Sequence, residues 1–205
     1  METLVTLQGE GPGSGRPVFL IRLAGCNLAC RWCDTPQARS PEAGRARSLS
    51  DLLREFEASG LSEVLLTGGE PLLQEGTVVL LQALVSRGAR VYLETNGSLP
   101  LGPVPQEVIK IMDLKTPSSG MSHQMLYENL RHLTFRDAVK FVIADEEDYL
   151  FAREKTFSLR LPSFTEVYFS PAWGEMSPER LARLILRDRL PVRFQVQLHK
   201  FLGLP

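Results

Sequence analysis

The chain has 205 residues, 43% apolar and 23% charged, with 23 basic against 24 acidic side chains. This suits one domain with a sizeable core and excludes a strongly basic nucleic-acid surface. No apolar run approaches the roughly 18 residues of a membrane helix, and residues 1–15 are Gly-rich and polar rather than signal-like, so a cytoplasmic location is expected. Residues 18–23 read as a strand entering a cysteine-bearing loop, and 49–59 as a helix capped by Ser48 or Ser50. A strand at 63–67 and a helix at 74–87, ended by Gly88, come next. Strands follow at 90–95 and 108–114, then a helix at 122–132 and a strand at 139–144. A weaker helix covers 146–156, its acidic start favoured by the helix dipole; a strand at 167–170, a helix at 178–187 and a last strand at 192–198 complete the pattern. Alternating β and α segments predict a mainly parallel sheet wrapped by helices. About six such steps fit this length, short of the eight of a full barrel, so the expectation is an α/β fold of the partial, open βα-barrel type.

The three cysteines all lie within eight residues: Cys26, Cys30 and Cys33, spaced C-x3-C-x2-C. An odd count in a cytoplasmic chain argues against disulfides. A structural zinc site takes four ligands, and His123, His132 and His199 are not spaced to supply the fourth. Three unrelated buried thiols are the plainer alternative, yet free cysteines rarely bunch on a Gly-flanked polar loop. An iron–sulfur cluster remains. Three thiolates on a four-iron cluster leave one iron open to a small molecule with amino and carboxylate groups.

In parallel α/β folds ligands collect where strands end. Here those ends read T-G-G-E-P from Thr67, E-T-N-G from Glu94, D-L-K-T-P-S-S-G from Asp113 and S-P-A-W from Ser170. Taken singly, each is also an ordinary turn, and Trp173 is equally a packing residue.

Together with these loops, G-C-N-L-A-C-R-W-C resembles the signature of the radical S-adenosylmethionine (SAM) superfamily, with Trp32 as its aromatic position. The resemblance implies that the open iron chelates SAM, which the reduced cluster cleaves to a 5′-deoxyadenosyl radical. It implies cofactor contacts at Trp32, Cys33, Asp34, Gly69, Glu70, Glu94 and Asn96, with Glu70 on the SAM amino group. Asp113, Leu114, Lys115, Ser170, Pro171, Ala172 and Trp173 join that set. A protein-activating enzyme of the same superfamily and a non-catalytic zinc or cluster module are the alternatives.

More narrowly, L-Q-G-E-G, F-L-I-R-L-A-G-C-N, C-D-T and the strand-end motifs resemble the 7-carboxy-7-deazaguanine synthase family over nearly the whole chain. This implies a lyase that contracts 6-carboxy-5,6,7,8-tetrahydropterin to 7-carboxy-7-deazaguanine with loss of ammonia, in queuosine and 7-deazapurine biosynthesis. The implied substrate residues are Leu7, Gln8, Gly9, Glu10, Arg22, Thr67, His199 and the terminal carboxylate of Pro205, and Thr35 is the protein ligand of a magnesium ion. The implied organisation is one domain, 1–205, with an N-terminal substrate loop and a C-terminal tail closing the site. A homodimer and an electron donor such as flavodoxin are implied too. Glu10, Glu94 and His199 are acid–base candidates, none assigned.

Overall fold

The computed structural model describes residues 2–204, so the expectation for Pro205 lies outside the described residues. Eight strands form one sheet in sequential order: β1 (Glu2–Leu7), β2 (Pro17–Leu23), β3 (Glu63–Gly68), β4 (Arg90–Thr95), β5 (Ile109–Asp113), β6 (Ala138–Ile143), β7 (Glu166–Pro171) and β8 (Arg193–Phe194). The β1–β2 pair is antiparallel and every later pair is parallel. Among the described residues no pairing joins β8 to β1, so the barrel is open. The helices are α1 (Leu49–Ser59), α2 (Thr77–Ser86), α3 (Glu146–Ser158), α4 (Pro178–Asp188) and the short α5 (Leu198–Leu202).

Strand alternation sorts the core into two sides. Phe19, Ile21, Val64, Leu66, Val91 and Leu93 pack outward in one cluster with Leu52, Phe56, Leu80, Leu84 and Leu181 of the helices. Their neighbours Val18, Leu20, Leu65, Tyr92, Ile109, Ile111 and Tyr168 form a second cluster inside the sheet's curve. Capping is local chemistry: the Ser48 hydroxyl, not that of Ser50, accepts from Asp51 N at 3.1 Å, and Gly60 leaves α1 in the left-handed region at φ 68°. Asp145 caps α3 by accepting from Asp148 N at 2.9 Å.

Three segments depart from expectation. Residues 122–132 are not one helix but two 3-10 turns, Ser122–Gln124 and Tyr127–His132. The buried Asn129 amide accounts for this, because it accepts from Leu101 N and donates to Gly97 O and Leu99 O, fixing the turn to a neighbouring loop. The last strand shrinks to two residues because Gln195 and Gln197 turn to bond the loops above the sheet. The unforeseen β1 is an edge strand with mostly exposed or half-exposed positions, which leaves little periodic signal.

Candidate active site

The inward side of the sheet changes character at its carboxyl end. Below it is apolar; above, the same alternating positions carry Arg22 on β2, Thr67 on β3, Glu94 on β4, Asp113 on β5 and Lys140 on β6. Arg22 is register partner of Thr67, and Asp113 of Lys140. Over this layer lies a cavity of about 1310 Å3, its open mouth included. Its walls also bring in Glu10 from the loop after β1, all three cysteines, and Gln197 and His199 from the C-terminal segment.

Charge in the cavity is paired across elements. Glu10 forms a close ion pair with Lys140, whose Nζ also lies 3.5 Å from Asp113 Oδ2; the same oxygen takes Lys115 Nζ at 2.9 Å. Burial alone lowers the Lys140 pKa, but Glu10, Asp113 and Glu94 outweigh it and hold the ammonium well above its usual value. For Lys115 burial is likewise outweighed by Asp113 and Cys30, and its ammonium stands 5.2 Å over the Trp32 ring. Burial pushes the Glu94 carboxyl up, while Thr67 Oγ1 donates to it at 2.8 Å. Arg22 Nε donates to Glu2 Oε1 at 2.5 Å, so this cavity residue is also anchored to β1.

The cysteine loop is held by backbone contacts. Gly25 N donates to Ala38 O at 2.8 Å, Cys26 N to Arg39 O at 3.0 Å and Glu70 N to Gly25 O at 2.8 Å. A Cβ on Gly69 would stand 2.1 Å from Gly25 O, and one on Gly68, at φ 143°, 2.1 Å from Leu23 O. The paired glycines therefore let the β3 end lie backbone to backbone on the end of β2, through Gly68, and on the cysteine loop, through Gly69. Burial pushes the Cys30 and Cys33 thiols up, and Leu28 N and Asn96 Nδ2 point at Cys26 Sγ from 3.5 and 3.8 Å.

Most expected residues line the cavity: Leu7, Gly9, Glu10, Arg22, Thr67 and His199 of those expected at the substrate, and Trp32, Cys33, Asp34, Gly69, Glu94, Asn96, Asp113, Lys115, Ala172 and Trp173 of those expected at the cofactor, together with Thr35. Glu70 does not. Fully buried, it accepts from Thr95 Oγ1 at 2.9 Å, Leu72 N at 3.0 Å and Asn96 N at 2.6 Å, so its carboxylate ties the β3 and β4 ends together. Gln8 is turned away too, donating to Glu10 O at 2.9 Å. Leu114, Ser170 and Pro171 lie beneath the wall, not on it. Lys140, Arg39 and Gln197 also line the cavity, and Gln195 bonds Glu10 from behind, none of them part of a motif. Only Lys140 left a signal: a lysine at an inward position of the apolar strand A-V-K-F-V-I.

Among the described residues no three His, Cys, Asp or Glu side chains converge as ligands of one metal ion. A four-iron cluster, taking one thiolate per iron, does not ask its cysteines to meet at a point. Three thiols on one cavity wall, with N–H donors aimed at a sulfur, are a donor set that fits such a cluster. Asp113 Oδ1, buried on the same cavity without a partner, fits a ligand donor beside it.

An open parallel barrel with this triad at its mouth defines the radical SAM class, and a sequence model of the radical SAM superfamily matches residues 20–185. Within that class the relatives are specific. A protein of Koribacter versatilis named 7-carboxy-7-deazaguanine synthase is 41% identical over 98% of this chain and 94% of its own, and one of Chlorobaculum tepidum with the same name is 40% identical over 100% and 93%. The chain belongs to the 7-carboxy-7-deazaguanine synthase family. The fold agrees: the crystal structure of QueE from Escherichia coli superposes with a TM-score of 0.76, covering 97% of this chain and 92% of that one at 22% identity. Streptococcus suis SuiB, bound to its precursor peptide SuiA, shares the fold at a TM-score of 0.61 and 14% identity, over 86% of this chain and 47% of that one. Membership of the superfamily implies a four-iron cluster and SAM as cofactors.

Proposed function

We propose that the chain is a radical SAM lyase that converts 6-carboxy-5,6,7,8-tetrahydropterin to 7-carboxy-7-deazaguanine with loss of ammonia, in queuosine and 7-deazapurine biosynthesis. The supporting observation is that one cavity is lined both by the cysteine triad and by Arg22 and Glu10, charges that a carboxylated heterocycle needs. When bound, the cluster and SAM supply the 5′-deoxyadenosyl radical.

The protein's own groups bind and orient. Arg22, anchored by Glu2 through Nε, offers its remaining N–H donors to the substrate carboxylate. Glu10 and Thr67 offer acceptors to the heterocycle's N–H edge. His199 packs its ring on Gly9, where a Cβ would stand 2.1 Å from Nδ1, and helps close the cavity over the ligand. Lys115 would hold the SAM carboxylate, and the Gly69 backbone, with Glu70 bracing it from behind, would hold the SAM ammonium. Thr35, whose hydroxyl donates to Asp34 Oδ1 at 2.8 Å, would be the protein ligand of a magnesium ion that assists substrate binding.

In this reading the chain acts as one domain, with the loop after β1 and the segment after β8 closing the site. The enzyme works in the cytoplasm as a homodimer, reduced by a small donor such as flavodoxin. Among the described residues no helix is long and apolar enough to cross a membrane. The test is anaerobic reconstitution, reduction and incubation with the carboxytetrahydropterin and SAM, with and without magnesium. Formation of the deazaguanine product is expected, and a cluster-loaded, SAM-cleaving enzyme that makes none refutes the proposal.

A further inference from the structure

Lys140 lies on the cavity floor with its ammonium among the acids of three neighbouring elements, and none of the motifs includes it. It projects inward from β6 with its side chain 10% exposed, facing Glu10 from the loop after β1, Asp113 from β5 and Glu94 from β4. Lys115 approaches from beyond β5 and shares Asp113 with it.

The two acids beside Lys140 are held in the same lopsided way. Glu10 uses Oε2 for Lys140 and for Gln195 Nε2, the latter at 3.3 Å; Oε1 has no hydrogen bond among the described residues. Asp113 gives Oδ2 to both lysines and leaves Oδ1 buried without a partner. Gln195 is fixed in turn, because its Oε1 accepts from Gly11 N at 2.9 Å. A carboxylate clamped through one oxygen cannot swing, so its second oxygen is pre-aimed at whatever fills the cavity. That oxygen can only accept, and the complementary group is an N–H donor.

We infer that Lys140, with Gln195 behind it, is a positioning residue for substrate recognition: it locks one oxygen of Glu10 so that the other accepts from the aminopyrimidine N–H edge of the substrate. This rests on the proposed function and deepens it, assigning that edge to Glu10 while Arg22 takes the carboxylate. The selectivity it creates is for heterocycles carrying an exocyclic amine next to a ring N–H. An analogue without the amine leaves a buried acceptor unanswered, a loss larger than that of a missing apolar contact.

The experiment uses cluster-reconstituted enzyme with SAM bound and no reductant, and measures affinity by calorimetry for the carboxytetrahydropterin and for its 2-deamino analogue. Wild type is expected to prefer the parent by about tenfold or more. K140M is expected to weaken the parent about tenfold and the analogue less than threefold, collapsing that preference, with SAM affinity and iron content unchanged. K140R is expected to restore most of it. In turnover K140M raises KM and leaves kcat within about threefold. Should K140M not fold because two buried acids lose their partner, Q195L and the neutral pair K140M/E10Q carry the test. Q195L should show the same pattern at smaller amplitude, and the double variant should bind no worse than E10Q. Equal weakening of parent and analogue, or affinities within twofold of wild type in K140M and Q195L, overturns the inference. A wild-type enzyme that neither binds nor converts the pterin overturns the proposed function instead.

Discussion

Gly69→Ala tests whether the paired glycines are there to seat the cysteine loop. The new methyl would stand 2.1 Å from Gly25 O, 2.5 Å from Gly25 C and 2.8 Å from Ala38 O, all backbone atoms with no rotamer to turn away. Relief requires the β3 end and the loop to part by about 1 Å, since tolerable contacts begin near 3.0 Å. The Glu70 N to Gly25 O bond, 2.8 Å, which spans that gap, then stretches past hydrogen-bonding range. At about 1 kcal/mol for the bond, and about 1–3 kcal/mol for overpacking, the expected loss is about 2–4 kcal/mol. A domain stable by about 5–15 kcal/mol stays folded after such a loss, but Cys26, next in the chain, moves with Gly25. The assay is urea unfolding of the apo-protein beside iron content per chain after anaerobic reconstitution. Both are expected to fall in G69A and neither in Gly76→Ala, where the added Cβ meets only a Leu49 methyl at 3.9 Å. G69A with wild-type stability and full iron content would falsify this account of the glycine pair.

Other substitutions separate structural from ligand roles. Glu70→Ala strips the acceptor from the buried Asn96 and Leu72 amides and is expected to cost about 2–4 kcal/mol in urea unfolding, Glu70→Gln less; equal losses count against the bracing role. Gly9→Ala drives its methyl into His199 Nδ1, a side chain able to move, so stability should change by under about 1 kcal/mol while substrate KM rises about tenfold; an unchanged KM removes His199 from the site. Cys30→Ser is expected to lower reconstituted iron and abolish reductive SAM cleavage, and full retention of both refutes its assignment to the cluster. Tyr149 and Tyr168 are each pushed up to about 12, by burial first and then by their Asp188 and Glu166 partners. The folded protein keeps these protons between about pH 10 and 12 where the unfolded chain has released them, so stability is full below about pH 10 and declines as pH climbs through 12. Urea midpoints at successive pH values check this, and Tyr149→Phe should flatten part of the decline.

How much was legible follows from the kind of signal each part leaves. The strands β2 to β7 announce themselves because burial on both faces demands runs such as V-F-L-I and A-V-K-F-V-I, and the cluster loop because three cysteines need a common reason. Edge strand β1 and the two-residue β8 escape, since pairing on one side asks little of their side chains. Glu70 shows the limit of a motif: its place in the sequence is clear, yet its carboxylate points into the protein and meets Thr95 and Asn96 from β4. Lys140 and Glu10 lie 130 positions apart, and only the curvature of the open sheet makes them neighbours.

The bond from Leu198 N to Gly9 O, 3.1 Å long, joins segments from opposite ends of the chain. With Gln195 on Gly11 and Gln197 on Asp34, it laces the segment after β8 onto the loops after β1 and β2. Closing so long a loop is entropically costly and follows the nearer contacts between successive strands. On the ribosome, the cysteine loop and the strand ends can therefore take shape while the cavity still stands open on its C-terminal side. Iron and sulfide then have a broad way in, which narrows only when the segment after β8 docks.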